Sequence, residues 1–440
     1  MGHLLRFALI ITTIYGPLTL RGAPHGAVVA DSHYRMPLPG AMVFGRDGRR
    51  IATSGTDGRL PQIAPGEYPL TIRYTGFKER RVDTAVRDTI FLQETLTELP
   101  EVMVRSRHQN MLHMLAYVRE YSSLSTYTDT VFLFREKMVD YMMPAGGNVR
   151  FKGWKSPRTL ASKSYYRFTD AHGKDSVSDR CNNHFSWADW VGAVIPGEIP
   201  ASLRLTENGS DTVRGRYSPT EIWTRRGHRM QIDVNVMADT ASRKWVPNLS
   251  AFFRRHIDFE QFRLQLDFSG IAGDTIAPVD LNGYSFCIES NGRGRGMFMF
   301  NRVDEPFFVS TYAEVYVIDK EYVTVAEARK WEKRLPAPGE ISIYEPAQAP
   351  PIQPAILHLV ERVNALDHDQ IRLDLDPDKR MIRPAVVKLN VGQKVLQRIK
   401  GMFGLDKVNA ERKWKRQWRQ FTRERAGHRK PDDTDRQHPD

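Results

Sequence analysis

The residues whose types and spacing could bind a metal are His358 and Glu361, in the stretch HLVE. Three positions apart on a helix, an imidazole and a carboxylate lie on one face, as zinc ligation requires. The downstream histidines His368, His428 and His438 do not supply a third ligand, because two of them stand in a basic or polar tail. We therefore interpret the pair as surface residues of a helix and predict no metal and no other cofactor.

A loop rich in glycine and arginine is the second feature that could do chemistry. In ESNGRGRGMFMFNR, three glycines alternate with Arg293 and Arg295. Backbone amides and two guanidinium groups in such a loop can bind an anion. The alternative is a β-hairpin, because Asn291 and Gly292 form a favoured two-residue turn between the strands YSFCIES and GMFMFNR. We favour the hairpin and keep Arg293 and Arg295 as interaction candidates.

The C-terminal stretch NAERKWKRQWRQFTRER predicts a basic amphipathic helix. Helical spacing places the aromatic side chains of Trp414, Trp418 and Phe421 on one face. Basic residues surround that face, and the interaction candidates among them are Lys413, Arg416 and Arg419. Such a helix can lie in the interface of an anionic membrane. The alternative is that its aromatic stripe packs on the protein's own surface.

The positive charge of the chain is concentrated near its C-terminus. The formal net charge is +12 over 440 residues. Twelve Lys or Arg stand between Arg398 and Lys430 against three acidic residues, which leaves the rest of the chain close to neutral. Because a nucleic-acid-binding domain needs a basic face on its folded part, we predict no nucleic-acid partner.

The N-terminus has the layout of a secretory signal peptide. Residues 1–23 carry Arg6, then an apolar run from Phe7 to Leu20, then the small residues Gly22 and Ala23. We therefore predict an exported protein that is periplasmic or associated with the outer membrane. The alternatives are a weak anchor and a frayed apolar terminus.

The chain has two cysteines, Cys181 and Cys287. In an exported protein they could form one disulfide, or each could be a separate buried thiol. The sequence leaves both readings open.

Residues 25–104 show short strands separated by turns, without intervening helices. In EYPLTIRYTGF the apolar positions are two residues apart, so they line one face of a half-buried strand: Tyr68, Leu70, Ile72 and Tyr74. Strands of this length and spacing predict a small β-sandwich.

Several motifs in this region occur together in one known family. They are PLPGA at Pro37–Ala41, TDG at Thr56–Gly58, PGEY at Pro65–Tyr68, GF at Gly76–Phe77, and LPEVMV at Leu99–Val104. In this order they resemble the carboxypeptidase-like regulatory domain, a transthyretin-like β-sandwich. The resemblance implies that fold and an accessory role, since this domain is not the catalytic part of carboxypeptidases. The TDGRLPQ turn is about a residue shorter than the family's usual form.

The rest of the chain divides into five further segments. The spacing of Met111, Leu112, Leu115 and Val118 predicts a connecting helix within 105–126. Residues 127–335 predict an antiparallel β-rich domain, because apolar residues alternate strictly at Phe262, Leu264, Leu266 and Phe268. Its last part, TVAEARKWEKRL, predicts a helix with a capping box at Thr324 and Glu327. A Pro-rich linker (336–355), a basic helical region (356–430) and a disordered tail (431–440) follow.

The fold class predicted for the whole chain is mainly β with C-terminal helices. A transthyretin-like β-sandwich precedes a larger antiparallel β-sheet or partial barrel. This order is similar to that of cell-envelope proteins of Gram-negative bacteria that begin with the same sandwich.

The sequence favours a non-enzymatic function. It contains no His-Glu-x-x-His, no Gly-x-Ser-x-Gly and no phosphate loop. The HLVE pair has no third ligand, which argues against a zinc carboxypeptidase. We predict binding, scaffolding or assembly at the cell envelope, with an envelope protein or a glycan as partner and with membrane-surface contact through the C-terminal helix. The alternative is a peptide or glycan hydrolase whose site lies in the middle domain, because a triad can be assembled from distant residues.

Overall fold

The computed structural model describes residues 26–86, 88–95, 106, 108–126, 129–146, 153, 157–170, 172–181, 185–216, 218–238, 257–271, 273–293, 306–334, 336 and 340–366. Strands dominate this part of the chain, and the helices are few, as predicted. The strands are β1 (Val29–Asp31), β2 (Met42–Phe44), β3 (Arg50–Thr53), β4 (Leu70–Arg73), β5 (Arg80–Val82), β6 (Ile90–Leu92), β7 (Met111–Ser125), β8 (Thr130–Pro144), β9 (Arg158–Thr169), β10 (Asp175–Ser178), β11 (Asn208–Arg214), β12 (Pro219–Arg226), β13 (Arg229–Asn235), β14 (Ile257–Phe268), β15 (Leu281–Arg293) and β16 (Pro306–Val323). The α-helices are α1 (Ala201–Arg204), α2 (Val325–Lys333) and α3 (Pro354–Asn364).

The N-terminal unit is a small β-sandwich. One sheet has the order β3-β2-β4-β5, and the other is the parallel pair β1-β6. The predicted alternation in β4 is confirmed, because Leu70, Ile72 and Tyr74 are buried in the core that the two sheets share, with Tyr68 packed against it.

The larger unit is a ten-stranded antiparallel sheet in the order β10-β9-β8-β7-β16-β15-β14-β13-β12-β11. The residues that alternate in β14 are all buried on one face of this sheet, in its main apolar core. An irregular segment that includes Trp187 and Val191 covers this face. It is held there by an ion pair of Asp189 with Lys137 (2.6 Å) and by the indole N–H of Trp187, which donates to Ser290 Oγ (2.9 Å).

The prediction of a connecting helix within 105–126 is wrong. Residues Met111–Ser125 form β7, which lies at the centre of the sheet between β8 and β16. Both faces of β7 are covered, so nearly all its residues are buried and the apolar positions do not alternate. When both faces of a strand are covered, apolar residues occur at most positions, and some of them fall at helical spacing by coincidence. Periodicity then does not distinguish the strand from a buried helix.

The predicted turn at Asn291 and Gly292 is also wrong. Both residues lie inside β15, where they pair with Phe308 and Phe307 of β16. Arg293 ends β15 opposite Pro306. Arg295 and the predicted strand GMFMFNR lie outside the described residues.

The segments after the sheet follow the prediction more closely. Helix α2 begins with the predicted capping box, in which Thr324 Oγ1 accepts from the Glu327 amide (3.2 Å) and the Glu327 carboxylate accepts from the Thr324 amide (2.8 Å). The Pro-rich residues 340–353 form neither helix nor strand. Helix α3 buries Ile356, Leu359 and Val363 against aromatic residues of the large sheet.

The segment predicted to be a signal peptide (1–23) and residues 367–440 lie outside the described part of the chain. The C-terminal segment includes the interaction candidates Lys413, Trp414, Arg416, Trp418, Arg419 and Phe421. Among the described residues, no helix combines the length and the hydropathy that a bilayer span requires.

Candidate functional site

The face of the large sheet opposite its main apolar core is polar along β13 and β14, and the sandwich is docked on that face. Because side chains alternate along a strand, β13 and β14 bury their apolar residues on one face and present polar ones on the other. The polar set is Arg229, Gln231, Asp233, Asn235, Gln261, Arg263, Gln265 and Asp267. Several of these side chains are buried by the sandwich, including Gln231, Asp233 and Gln265.

Hydrogen bonds to the sandwich backbone fix the docking. The side-chain amide of Gln265 donates to the carbonyl of Gly40 (3.0 Å), and that of Gln231 donates to the carbonyl of Thr75 (2.8 Å). Gly40 has a positive φ of 78°, and a Cβ at this position would collide with Asp233 and Gln265. Glycine at residue 40 therefore permits both the turn and the close approach of the two units.

Arg73 forms the centre of a buried ion-pair network between the two units. It is 2% exposed and extends from β4 to Glu314 on β16 (3.3 Å) and to the Tyr121 hydroxyl on β7 (3.0 Å). Glu79 of the sandwich pairs with it as well (3.1 Å). Burial opposes the charge of Arg73, but Tyr121 and Glu314 outweigh burial and hold its pKa well above the ordinary value. Arg73 is therefore a fixed cation.

The Pro-rich residues before α3 cross the same polar face. Fully buried Arg119 pairs with Glu345 (2.6 Å) and donates to the carbonyl of Pro350 (2.5 Å), while Arg73 donates to the carbonyl of Pro351 (3.4 Å). The segment that the sequence suggested as an extended linker is thus bound to the sheet.

A polar cleft of about 460 Å³ opens where the sandwich meets the sheet. This volume lies in the range of small-ligand sites. One wall comes from the sandwich and the other from β13, β14 and β15. The described residues that line the cleft are Thr53, Ser54, Gly55, Asn235, Glu260, Gln261, Arg263 and Glu289. We take this junction cleft as the candidate functional site.

The floor of the junction cleft is formed by four polar side chains of the sheet, those of Asn235, Arg263, Gln261 and Glu289. Asn235 pairs with Arg263 across β13 and β14, and Gln261 pairs with Glu289 across β14 and β15. Directly opposed residues lie about 4.5 to 5.5 Å apart, and alternate residues of one strand are roughly 7 Å apart. At Glu260 the register of β14 shifts, and such a bulge redirects a side chain and is common beside functional sites.

Several hydrogen-bonding groups of the floor have no partner within the part of the chain that the structure describes. The side-chain amides of Asn235 and Gln261 bond to no other described residue. Arg263 uses one nitrogen, Nη1, which donates to the carbonyl of Ser54 (3.0 Å). Glu289 pairs with Arg50, and Glu260 accepts through one oxygen from Asn291. The cleft therefore offers donors and acceptors from both amides, one guanidinium and one carboxylate.

Asp233 lies beside the floor on β13, two positions before Asn235 and next to Arg263 and Gln265. Burial raises the pKa of its carboxyl, although Arg263 and the Gln265 amide oppose this shift. The Gln265 amide is 3.3 Å from Asp233 Oδ2. Asp233 is thus a structural carboxyl under the docked sandwich and does not line the cleft.

A histidine–carboxylate cluster occurs far from the cleft. His113 Nε2 is 3.2 Å from Asp140 Oδ2, and Nδ1 is 2.9 Å from Glu321 Oε1. Asp140 is also bound by Arg158 (2.6 Å), and the ring of Trp331 lies 4.3 Å from the imidazole. Glu321 of this cluster stands 11 positions along β16 from Ser310, the partner of Glu289 in the cleft, and at about 3.3 Å per residue the cluster is roughly 35 Å from the cleft. It anchors the end of α2 on the sheet.

The residues that the sequence singled out lie elsewhere. His358 and Glu361 are exposed on α3, and no three metal-binding side chains gather within the described residues. Arg293 lies at the end of β15. Cys181 and Cys287 are both free thiols, with Cys287 buried.

Sequence reasoning missed the junction cleft. Its sheet wall had a local signal, because the polar positions of QFRLQLDF alternate with buried ones. The alternation indicates that these side chains lie on one face of the strand. The alternation does not indicate that Thr53, Ser54 and Gly55 of the sandwich lie over that face.

Comparisons with known proteins give no family. No family model and no curated protein matches the chain. Among solved structures, the chain is similar to one described as lipid-protein interactions in lipovitellin, with 7% sequence identity and a TM-score of 0.25. The match covers 49% of this chain and 26% of that chain. A likeness at this TM-score supports no conclusion about fold or ligand.

Proposed function

We propose that this protein is an exported, non-enzymatic binding protein of the cell envelope, and that it holds a polar envelope ligand in the junction cleft. The observation that carries the proposal is the cleft itself. Both units line it, and its floor presents the side-chain amides of Asn235 and Gln261, which bond to no other residue that the structure describes. Binding sites commonly lie between domains and orient their ligands with a few polar groups.

The ion-pair network supports a rigid site. Arg73 joins the sandwich to β7 and β16 through buried contacts. The two walls of the cleft are therefore held at a fixed distance, which lowers the entropic cost of ordering the site on binding. In this proposal the sandwich is an accessory module that completes the site.

The histidine–carboxylate cluster does not favour the hydrolase alternative. His113 and Asp140 are buried beneath Trp331 and bound to Arg158 and Glu321. An active site needs its base within hydrogen-bond reach of a bound substrate, and this base lies far from the cleft.

A pull-down from envelope fractions tests the proposal. The full chain without residues 1–23 is immobilised and incubated with isolated peptidoglycan sacculi and with solubilised envelope proteins. The double variant Asn235→Ala/Gln261→Ala should lose the captured material, while Lys174→Ala, an exposed change on the β9–β10 turn, should retain it. Equal capture by both variants would refute a role for the cleft.

Export is tested separately by cell fractionation. The full-length chain should enter the envelope fraction, and a chain that lacks residues 1–23 should stay in the cytoplasm. Cytoplasmic retention of the full-length chain would refute the proposed location.

A further inference from the structure

The charges around the junction cleft cancel. The charged residues that line the cleft are Arg263, Glu260 and Glu289, and Arg50, which lies outside the lining, pairs with Glu289, so that two guanidinium groups balance two carboxylates. A site for an anion or a cation needs an excess of opposite charge on its walls, because a charged ligand that leaves water must be compensated. The cleft therefore favours a ligand without net charge.

The geometry of the floor narrows the class of ligand further. Four polar side chains form two adjacent cross-strand pairs, Asn235 with Arg263 and Gln261 with Glu289. They offer both donors and acceptors in a polar array that crosses three strands, β13, β14 and β15, with two of its four residues on β14. A ligand that satisfies this array must itself carry several neighbouring groups that both donate and accept.

We infer that the junction cleft binds a neutral carbohydrate, with one sugar ring lying on the Asn235–Arg263–Gln261–Glu289 floor. This inference rests on the proposed function and names its ligand class. Each hydroxyl of a sugar donates one hydrogen bond and accepts others. Adjacent hydroxyls on one ring therefore match side-chain amides beside a guanidinium and a carboxylate, and an uncharged ring matches the zero net charge.

The sandwich wall supports the same assignment. Thr53, Ser54 and Gly55 stand over the floor, and the carbonyl of Ser54 already orients Arg263 (3.0 Å). Arg50 orients Glu289 from behind and also donates to Thr53 Oγ1 (3.0 Å). The charged members of the floor are thus held in place before a ligand arrives, while the two amides have no partner among the residues described.

Saturation-transfer difference NMR and calorimetry on the chain without residues 1–23 test this inference. The neutral probes are glucose, galactose, mannose and N-acetylglucosamine, and the charged probe is glucuronic acid. At least one neutral sugar should show saturation transfer and saturable binding, and glucuronic acid should bind more weakly than its neutral counterpart glucose.

The variants decide whether the signal comes from the cleft. Asn235→Ala/Gln261→Ala should weaken the binding of the neutral sugar by roughly tenfold, since each lost hydrogen bond costs several-fold in affinity. Lys174→Ala should leave it unchanged. Because neither amide bonds to another described residue, the double variant should keep the circular dichroism and melting temperature of the parent.

Two results would overturn the carbohydrate assignment: no saturation transfer from any neutral sugar, or equal binding by the double variant. If no sugar binds while the double variant still loses envelope material, the ligand class is wrong and the cleft keeps its binding role. If the capture of envelope material is also unchanged, the proposed function falls as well.

Discussion

Replacing Arg73 by methionine tests whether the sandwich and the large sheet form one rigid unit. The variant keeps the aliphatic part of the side chain and removes the guanidinium. Glu314, which is 6% exposed, then loses its cationic partner inside the interface. Removing one member of a buried ion pair costs about 3 to 5 kcal/mol, because the remaining charge stays buried without compensation.

The structure places the expected cost near the lower end of that range. Glu314 still accepts a hydrogen bond from the Tyr312 hydroxyl (2.9 Å), so its carboxylate is not left wholly unpaired. We expect Arg73→Met to lower the free energy of unfolding by about 3 kcal/mol. The double variant Arg73→Met/Glu314→Gln should recover part of this loss, because the second change removes the stranded charge.

The assay is urea denaturation followed by tryptophan fluorescence and circular dichroism, with the free energies combined in a double-mutant cycle. The matched control is Arg81→Met on β5, whose ion pair with Asp83 is exposed (62% and 73%). Exposed pairs contribute less than about 1 kcal/mol. If Arg73→Met and Arg81→Met destabilise the protein equally, the buried network does not hold the two units together.

Three further predictions follow from single sites. Burial raises the pKa of Asp233, so its contribution to stability is present at acidic pH and is lost as the pH rises through the folded-state pKa. Above that pKa the folded protein holds a buried charged carboxylate. Asp233→Asn should therefore raise the melting temperature at pH 8, and this gain should disappear near pH 4. The capping hydroxyl of Thr324 is worth about 1 kcal/mol, so Thr324→Ala should destabilise α2 by that amount and Thr324→Ser should not, as hydrogen exchange of its amides can measure. Deleting Asn409 to Lys430 removes the basic aromatic stretch, so binding to vesicles that contain anionic lipid should fall sharply, and unchanged binding would refute the membrane contact.

Local patterns in the sequence determined those elements whose physical cause is local. The alternation of Phe262, Leu264, Leu266 and Phe268 predicted a strand with one buried face, and all four side chains are buried. The capping box of α2 was readable from Thr324 and Glu327, because both of its hydrogen bonds join residues three positions apart.

Tertiary structure decided what local patterns leave open. The stretch MLHMLAYVREYSSL has apolar residues at helical spacing, yet it forms the central strand β7, because β8 and β16 pair with it and both of its faces are covered. Covered faces remove the alternation that identifies a strand.

The junction cleft depended on tertiary structure for the same reason. Ser54 and Arg263 are 209 positions apart in the chain, and they meet only because the sandwich lies on the polar face of the sheet. The sequence by itself determined that this protein has a sandwich, a large antiparallel sheet and a capped helix, since short-range periodicity and capping specify such elements. Only the packing of one unit on the other decided where its polar groups converge, because contacts between distant residues leave no periodic trace along a single chain.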